Sequence, residues 1–262
     1  MKNTSYIILL LIVFVFNQSY AQEITGIATY KSFTKLDIKM DSTQVPKELQ
    51  AQLLESIKQQ TQKEYELQFN NTESIFQEKE QLQRPSNSMF SGGNVVSSGG
   101  FGVFYKNLSK NEAVNQRDLL GKLFLITDTI EKQDWKLEKE TKNIGDYACF
   151  KATRTRISEN STGEKSEIPI VAWYTPEIPI ALGPFTYAGL PGLILEITDG
   201  NSTYLCSQIV LNPKNSVIIE SPKKGKSVTK NEFEKIQADK MKEMQDNMPA
   251  GNGKPIEIIV GG

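Results

Sequence analysis

The chain has 262 residues, 30 Lys and Arg against 31 Asp and Glu, a formal net charge of −1 and no histidine. Near neutrality points to neither a nucleic acid nor an anionic surface as partner. The missing imidazole removes the usual serine and cysteine hydrolases and most zinc and copper sites, so neither a cofactor nor a metal is expected, and only carboxylate chemistry stays open to an enzyme.

Residues 1–21 have a lysine at position 2, the apolar run YIILLLIVFVF over 6–16, and small residues at Ser19 and Ala21. This is the layout of a secretory signal peptide. The run is too short for a bilayer span, which takes about 20 apolar residues. Nothing downstream is long and apolar enough to span either, so the chain is expected to be exported, with no transmembrane span. Residues 22–246 are expected to form a single antiparallel β-rich domain, with a mobile loop at 84–102 and a flexible tail at 247–262 that leaves room for a late strand at 255–260.

Alternation predicts strands at 23–32 and 36–40. Residues 46–60 predict a helix: Pro46 suits the first helical position, and Leu49, Leu53 and Ile57 recur on one face. Residues 64–70 and 73–78 read as a hairpin turning at Asn70-Asn71. Strands then follow at 103–107, 121–128, 134–141, 146–157 and 166–174, several of them separated by short polar turns. Such spacing indicates an antiparallel meander, and long strands in it should coil. Prolines 176, 179 and 184 interrupt the ladder. Strands resume at 193–198 and 203–211 across Asp199-Gly200, with a shorter one at 216–220. Thr229 and Glu232 form a capping box with Val228 and Phe233 as its staple, opening a helix over 230–245. The fold class expected is mainly β (α+β): a large curved antiparallel meander sheet or open half-barrel with two helices.

Cys149 and Cys206 form an even pair in an exported chain, which suits a disulfide; two buried free thiols are the alternative. Leu190-Pro191-Gly192-Leu193 suits a type II turn, and Leu193, Leu195 and Ile197 share one face of the strand after it. Either this apolar corner closes a core, or the Leu190-Pro191 tip meets an apolar ligand or partner. Just upstream, Trp173, Tyr174, Phe185 and Tyr187 crowd among the prolines, as a stacking platform for a sugar or peptide or as a plug for the sheet end. The candidate binding residues are therefore Trp173, Tyr174, Phe185, Tyr187, Leu190, Pro191 and Leu193. Glu177, Glu196 and Asp199 are the nearest carboxylates, and their spacing defines no catalytic pair.

The stretch AWYTPEIPIALGPFTYAGLPGLILEI, residues 172–197, closely resembles the signature of the GLPGLI family of exported bacterial proteins, whose motif stands here at 189–194. FYKNLS, GKLFLITDTI and WKLEKETKNIGDYACFKA resemble its other recurring blocks, so the resemblance covers roughly 101–211. It implies export from a Gram-negative cell to the periplasm or the extracellular face, and no established activity or residue role comes with it. Three functions compete: a noncatalytic binding or carrier protein for an apolar ligand or peptide, an interaction accessory of an outer-membrane transporter or secretion machine docking an envelope protein, and a carboxylate-dependent enzyme.

Overall fold

Alternating burial builds this chain, strand after strand. The computed structural model describes residues 23–35, 62–79, 102–159, 163–215 and 217–247. Within them run β1 (Gly26–Thr34), β2 (Glu64–Phe69), β3 (Glu73–Glu78), β4 (Val103–Asn107), β5 (Glu112–Leu119) and β6 (Lys122–Asp128). After these come β7 (Lys136–Ile144), β8 (Tyr147–Glu159), β9 (Lys165–Thr175), β10 (Leu193–Asp199), β11 (Ser202–Leu211), β12 (Lys226–Val228) and the helix α1 (Lys230–Asp246). On β2 the buried residues are Tyr65, Leu67 and Phe69, every second position, as a sheet with one covered face requires.

The strands form one sheet in the order β12-β6-β5-β4-β3-β2-β1-β11-β10-β9-β8-β7. Two meanders, β1 to β6 and β7 to β11, are joined edge to edge where β1 pairs antiparallel with β11. All pairings are antiparallel except that of β12 with β6. The end strands β12 and β7 do not meet, so the sheet is open and mainly β, as the sequence predicts.

The curvature can be read from one side chain. On a flat sheet, β4 and β11 would lie four spacings of about 4.8 Å apart, roughly 19 Å. Yet the Phe185 ring centre sits 5.4 Å from that of Phe104 on β4 and 4.6 Å from that of Tyr204 on β11. The strands between them must therefore wrap around Phe185, which also meets Tyr65 and Phe76 from β2 and β3. The main core is the concave face so formed, filled by the segment between β9 and β10. A smaller core lies under α1, made by Leu119, Phe124, Ile126, Val228 and Phe233.

The capping box forms as expected. The Thr229 backbone N–H donates to Glu232 Oε2 at 2.8 Å, the Glu232 N–H donates to Thr229 Oγ1 at 3.3 Å, and α1 starts one residue after Thr229. Three expectations are corrected. Residues 112–119, where no strand was expected, form β5. Residues 217–220 have no regular structure, and a short strand not expected from the sequence, β12, pairs parallel with β6. Cys149 and Cys206 are free, buried thiols rather than a disulfide. In the pairing order β9 and β10 lie between β8 and β11, so the two cysteines do not sit on neighbouring strands. Burial pushes the Cys149 thiol up to about 11 and the Cys206 thiol up to about 12, so both stay protonated and inert at neutral pH.

The signal segment 1–21, the strand 36–40, the helix 46–60, all of the loop 84–102 but Gly102 and all of the tail 247–262 but Asn247 lie outside the described residues. Among the described residues, no helix is long and apolar enough to cross a membrane.

Candidate functional site

The segment 176–192 leaves the ladder because its prolines cannot donate to it. Instead it folds onto the concave face with alternate residues inward: Ile178, Ile180 and Leu182 are buried, while Pro176, Glu177 and Pro179 are exposed. Two of its prolines centre tight turns of one kind. Ile180 N–H donates to Ile178 O at 2.7 Å across Pro179, and Gly192 N–H donates to Leu190 O at 2.8 Å across Pro191. These are i to i+2 bonds, the inverse γ form, whose central φ near −75° a proline already holds. The type II turn expected at 190–193 is therefore not formed; the Leu193 N–H goes to Ile178 O at 2.9 Å instead.

Lys106 anchors the segment from β4. Its side chain is 1% exposed, and its Nζ donates to the carbonyls of Gly183 at 2.6 Å, Phe185 at 2.6 Å and Tyr187 at 2.9 Å. An ammonium has three N–H bonds, and all three are used. Desolvation pushes this lysine down to about 7, while the three oxygens favour the charged form. Further bonds tie the segment at its far side. Trp135 Nε1 donates to Ala188 O at 3.0 Å, and Tyr187 OH donates at 2.7 Å to Asp199, which also accepts from Arg156 Nε at 2.8 Å.

A cleft of about 260 Å³ opens between the two cores, under α1 and beside Phe185. Its floor is set by register. On β5, Ala113, Asn115 and Arg117 share one face; they pair with Lys106 and Phe104 on β4 and with Asp128, Ile126 and Phe124 on β6. Phe233 of α1 roofs it, 5.4 Å from the Phe124 ring centre and 5.7 Å below the Arg117 guanidinium. Asn115 lines the cleft, and its Oδ1 is buried without a hydrogen-bond partner. Arg117 is half-buried, and desolvation holds it below its ordinary value. Among the described residues it has no ion pair. The rim carries exposed Asp128, Glu131, Lys230 and Glu234. Among the described residues, no three thiols or carboxylates come together as a metal site.

Of the residues expected to bind, only Phe185 lines this cleft. Tyr174, Tyr187, Leu190 and Leu193 are built into the main core, Leu190 at 1% exposure. Trp173 lies on the opposite sheet face from its neighbour Tyr174, with Lys142 Nζ 4.4 Å over its ring, and Pro191 is exposed at the corner. Glu196 pairs with Lys142 at 2.6 Å, and Glu177 accepts the Ala148 N–H at 2.9 Å, so both carboxylates brace strands. Asn115, Arg117 and Phe104 are cleft residues not singled out in the sequence, and Lys106 stood inside a recognised block without a role. The one available signal was a lysine in the middle of the apolar strand VFYKN.

Residues 135–167 and 158–196 match a family described as "Protein of unknown function (Porph_ging)". The match takes in β7, β8, β9 and the whole of 176–192, and is consistent with a GLPGLI-type family. It leaves the cleft strands β4 to β6 outside. No curated protein matches this chain. Two solved structures of PNGF-II, in space groups C2 and P21, are similar at 14% identity with TM-scores of 0.49 and 0.50. Each comparison covers 82% of this chain and 33% of PNGF-II, so the chain spans about a third of the length of the protein it matches. At that identity the P21 likeness bears on the fold alone.

Proposed function

We propose that this is a noncatalytic binding protein that takes a small amphipathic ligand, or the end of a peptide, into the cleft bounded by β4, β5, β6, α1 and Phe185. The observation that carries the reading is an apolar-walled cavity of about 260 Å³ lined by a half-buried guanidinium, Arg117, that has no ion pair among the described residues. Ligand pockets join these two features, apolar walls and a few fixed polar atoms. The volume is about nine waters' worth at roughly 30 Å³ each, small for a whole acyl chain. The signal-type segment 1–21 supports export to the periplasm or the extracellular face as its setting. The reading shifts the binding surface from the 190–193 corner, whose leucines are consumed by the core, to the seam between the two cores.

A neutral fluorescent apolar amine, N-phenyl-1-naphthylamine, tests the cleft. Wild type should bind it saturably, one per chain. Ala113→Trp, which fills the floor, should lose that binding while melting as the wild type does. Equal binding by both proteins, or none by wild type, overturns the reading.

A further inference from the structure

The polar groups on the floor of the cleft are donors, and they come from one strand. Arg117 and Asn115 share a face of β5, two residues and about 7 Å apart. Arg117 is half-buried and has no hydrogen bond or ion pair among the described residues; it meets the Phe233 ring, 5.7 Å from its guanidinium carbon. That contact leaves the planar fork of N–H bonds unspent. Burial draws the group below its ordinary value, and no carboxylate stands near enough to offset the lost water. Asn115 is oriented by its own burial. Its Oδ1 is sealed off, so the end of the amide left to a ligand is the Nδ2 donor, which makes no hydrogen bond among the described residues.

The acids of the cleft stand away from this pair. Asp128, Glu131 and Glu234 are exposed rim residues. Asp128 pairs with Ala113, four residues along β5 from Arg117, which puts the two backbones about 14 Å apart. Asp128 also accepts the Thr129 N–H at 2.7 Å, and Glu131 lies 3.9 Å from Arg154. A cationic head at the floor would meet like charge and no free acceptor. An anionic head would meet a free guanidinium and a free amide N–H in a medium of reduced dielectric. One free guanidinium with one neutral amide beside it matches a single negative charge, so a carboxylate suits it better than a phosphate monoester, which carries more than one. Phe104 and Ile126 flank Asn115 on the neighbouring strands, and Phe185 closes the same space. They give the rest of the ligand an apolar bed.

We infer that the cleft binds a small apolar monocarboxylic acid, its carboxylate held by the Arg117 guanidinium and the Asn115 Nδ2 donor and its hydrocarbon end packed on Phe104, Ile126 and Phe185. A free aryl or alkyl acid has this chemistry, and so does the terminal carboxyl of a peptide that ends in an apolar residue. The inference rests on the cleft being a binding site, and its test separates the two ideas.

Calorimetry on the full chain compares 3-phenylpropionate with 3-phenylpropionamide and 3-phenylpropan-1-amine, which keep the ring and tether and change the head. The acid should bind about tenfold more tightly than the amide, and the amine should be the weakest of the three. Arg117→Met should erase the preference for acid over amide, and Arg117→Lys, which keeps the charge, should retain part of it. Asn115→Asp sets a carboxylate beside the head; it should weaken the acid about tenfold and leave binding of the neutral naphthylamine within about twofold of wild type. A tripeptide ending in phenylalanine separates the sources: binding as tight as that of 3-phenylpropionate identifies a peptide end, and markedly weaker binding identifies a free acid. Equal affinity for acid and amide in the wild type, or an unchanged preference in a folded Arg117→Met protein, overturns the inference. If the naphthylamine still binds in that case, the binding-protein reading stands without this ligand class; if it does not bind, both fall.

Discussion

Lys106 shows how one side chain can hold a segment that has no ladder of its own. The carbonyls of Gly183, Phe185 and Tyr187 would be buried without donors, at about 1–3 kcal/mol each, were the ammonium not there. The cost is a lysine taken wholly out of water, and burial accordingly sets its folded-state value near 7 against an ordinary 10.5. Between those two values the unfolded chain holds a proton that the folded chain has released, so raising the pH favours folding. One full proton of difference corresponds to about 1.4 kcal/mol per pH unit. Lys106→Met removes the group and keeps the volume. The stability gap between wild type and Lys106→Met, from urea unfolding at pH 7 through 10, should shift progressively in favour of the wild type. A gap that stays constant over that range would mean that the three carbonyls keep the ammonium charged throughout, and the desolvation account of this lysine would fail.

At the scale of the element, segment 176–192 is shaped by two glycines of different kinds. A Cβ at Gly192 would lie 2.1 Å from the Thr175 carbonyl oxygen and 2.9 Å from the Pro176 Cα, both backbone atoms at the end of β9 that cannot step aside. At Gly189, φ is +88° and a Cβ would meet nothing within 4 Å. Gly189→Ala should therefore cost only the strain of a left-handed alanine, about 1–2 kcal/mol. Gly192→Ala should cost roughly 3 kcal/mol or more, because the strand end must move. Equal losses in thermal or denaturant melts would show that the corner is not packed against β9 as described. The sequence made part of this readable. It marked the corner and the strand after it, since Pro-Gly followed by five apolar or alternating residues has few other meanings. It did not separate a type II turn from a γ-turn, because a proline presets φ suitably for both and the choice falls to the distant acceptor, Ile178 O. The missed strand β5 has a related cause. Its concave face sets the polar Asn115 and Arg117 between Ala113 and Leu119, where a strand would ordinarily be apolar, and Ala113, Asn115 and Arg117 floor the cleft. The site was hidden by the property that makes it a site.

For the whole molecule, the sheet order is the feature least visible in local pattern. β1 pairs with β11 across nearly the full described chain, and periodicity says which residues form a strand but nothing of its neighbour. That pairing places the two meanders side by side and leaves the cores unequal. The main core draws on β1, β2, β3, β8, β9, β10, β11 and the inserted segment, with Phe185 at its centre. The second rests on five buried side chains from β5, β6, β12 and α1, and β6 is the strand that α1 meets most. Opening free energy follows buried apolar area, at about 25 cal/mol per Å², so the two regions should not open together. Native-state hydrogen exchange checks this. Amides of α1, β12 and β6 should exchange through a sub-global opening well below the global unfolding free energy, while those of β1, β10 and β11 should exchange only with global unfolding. A ligand in the cleft touches both regions, since Phe185 belongs to the main core and Phe233 to the small one. Binding should therefore slow exchange in α1 and β6 far more than in β1, raising the lower opening toward the higher. Uniform protection across all these elements, with or without ligand, would show that the helix and its three strands are not a separately opening unit, and that the cleft is a fixed slot rather than a seam a ligand can close.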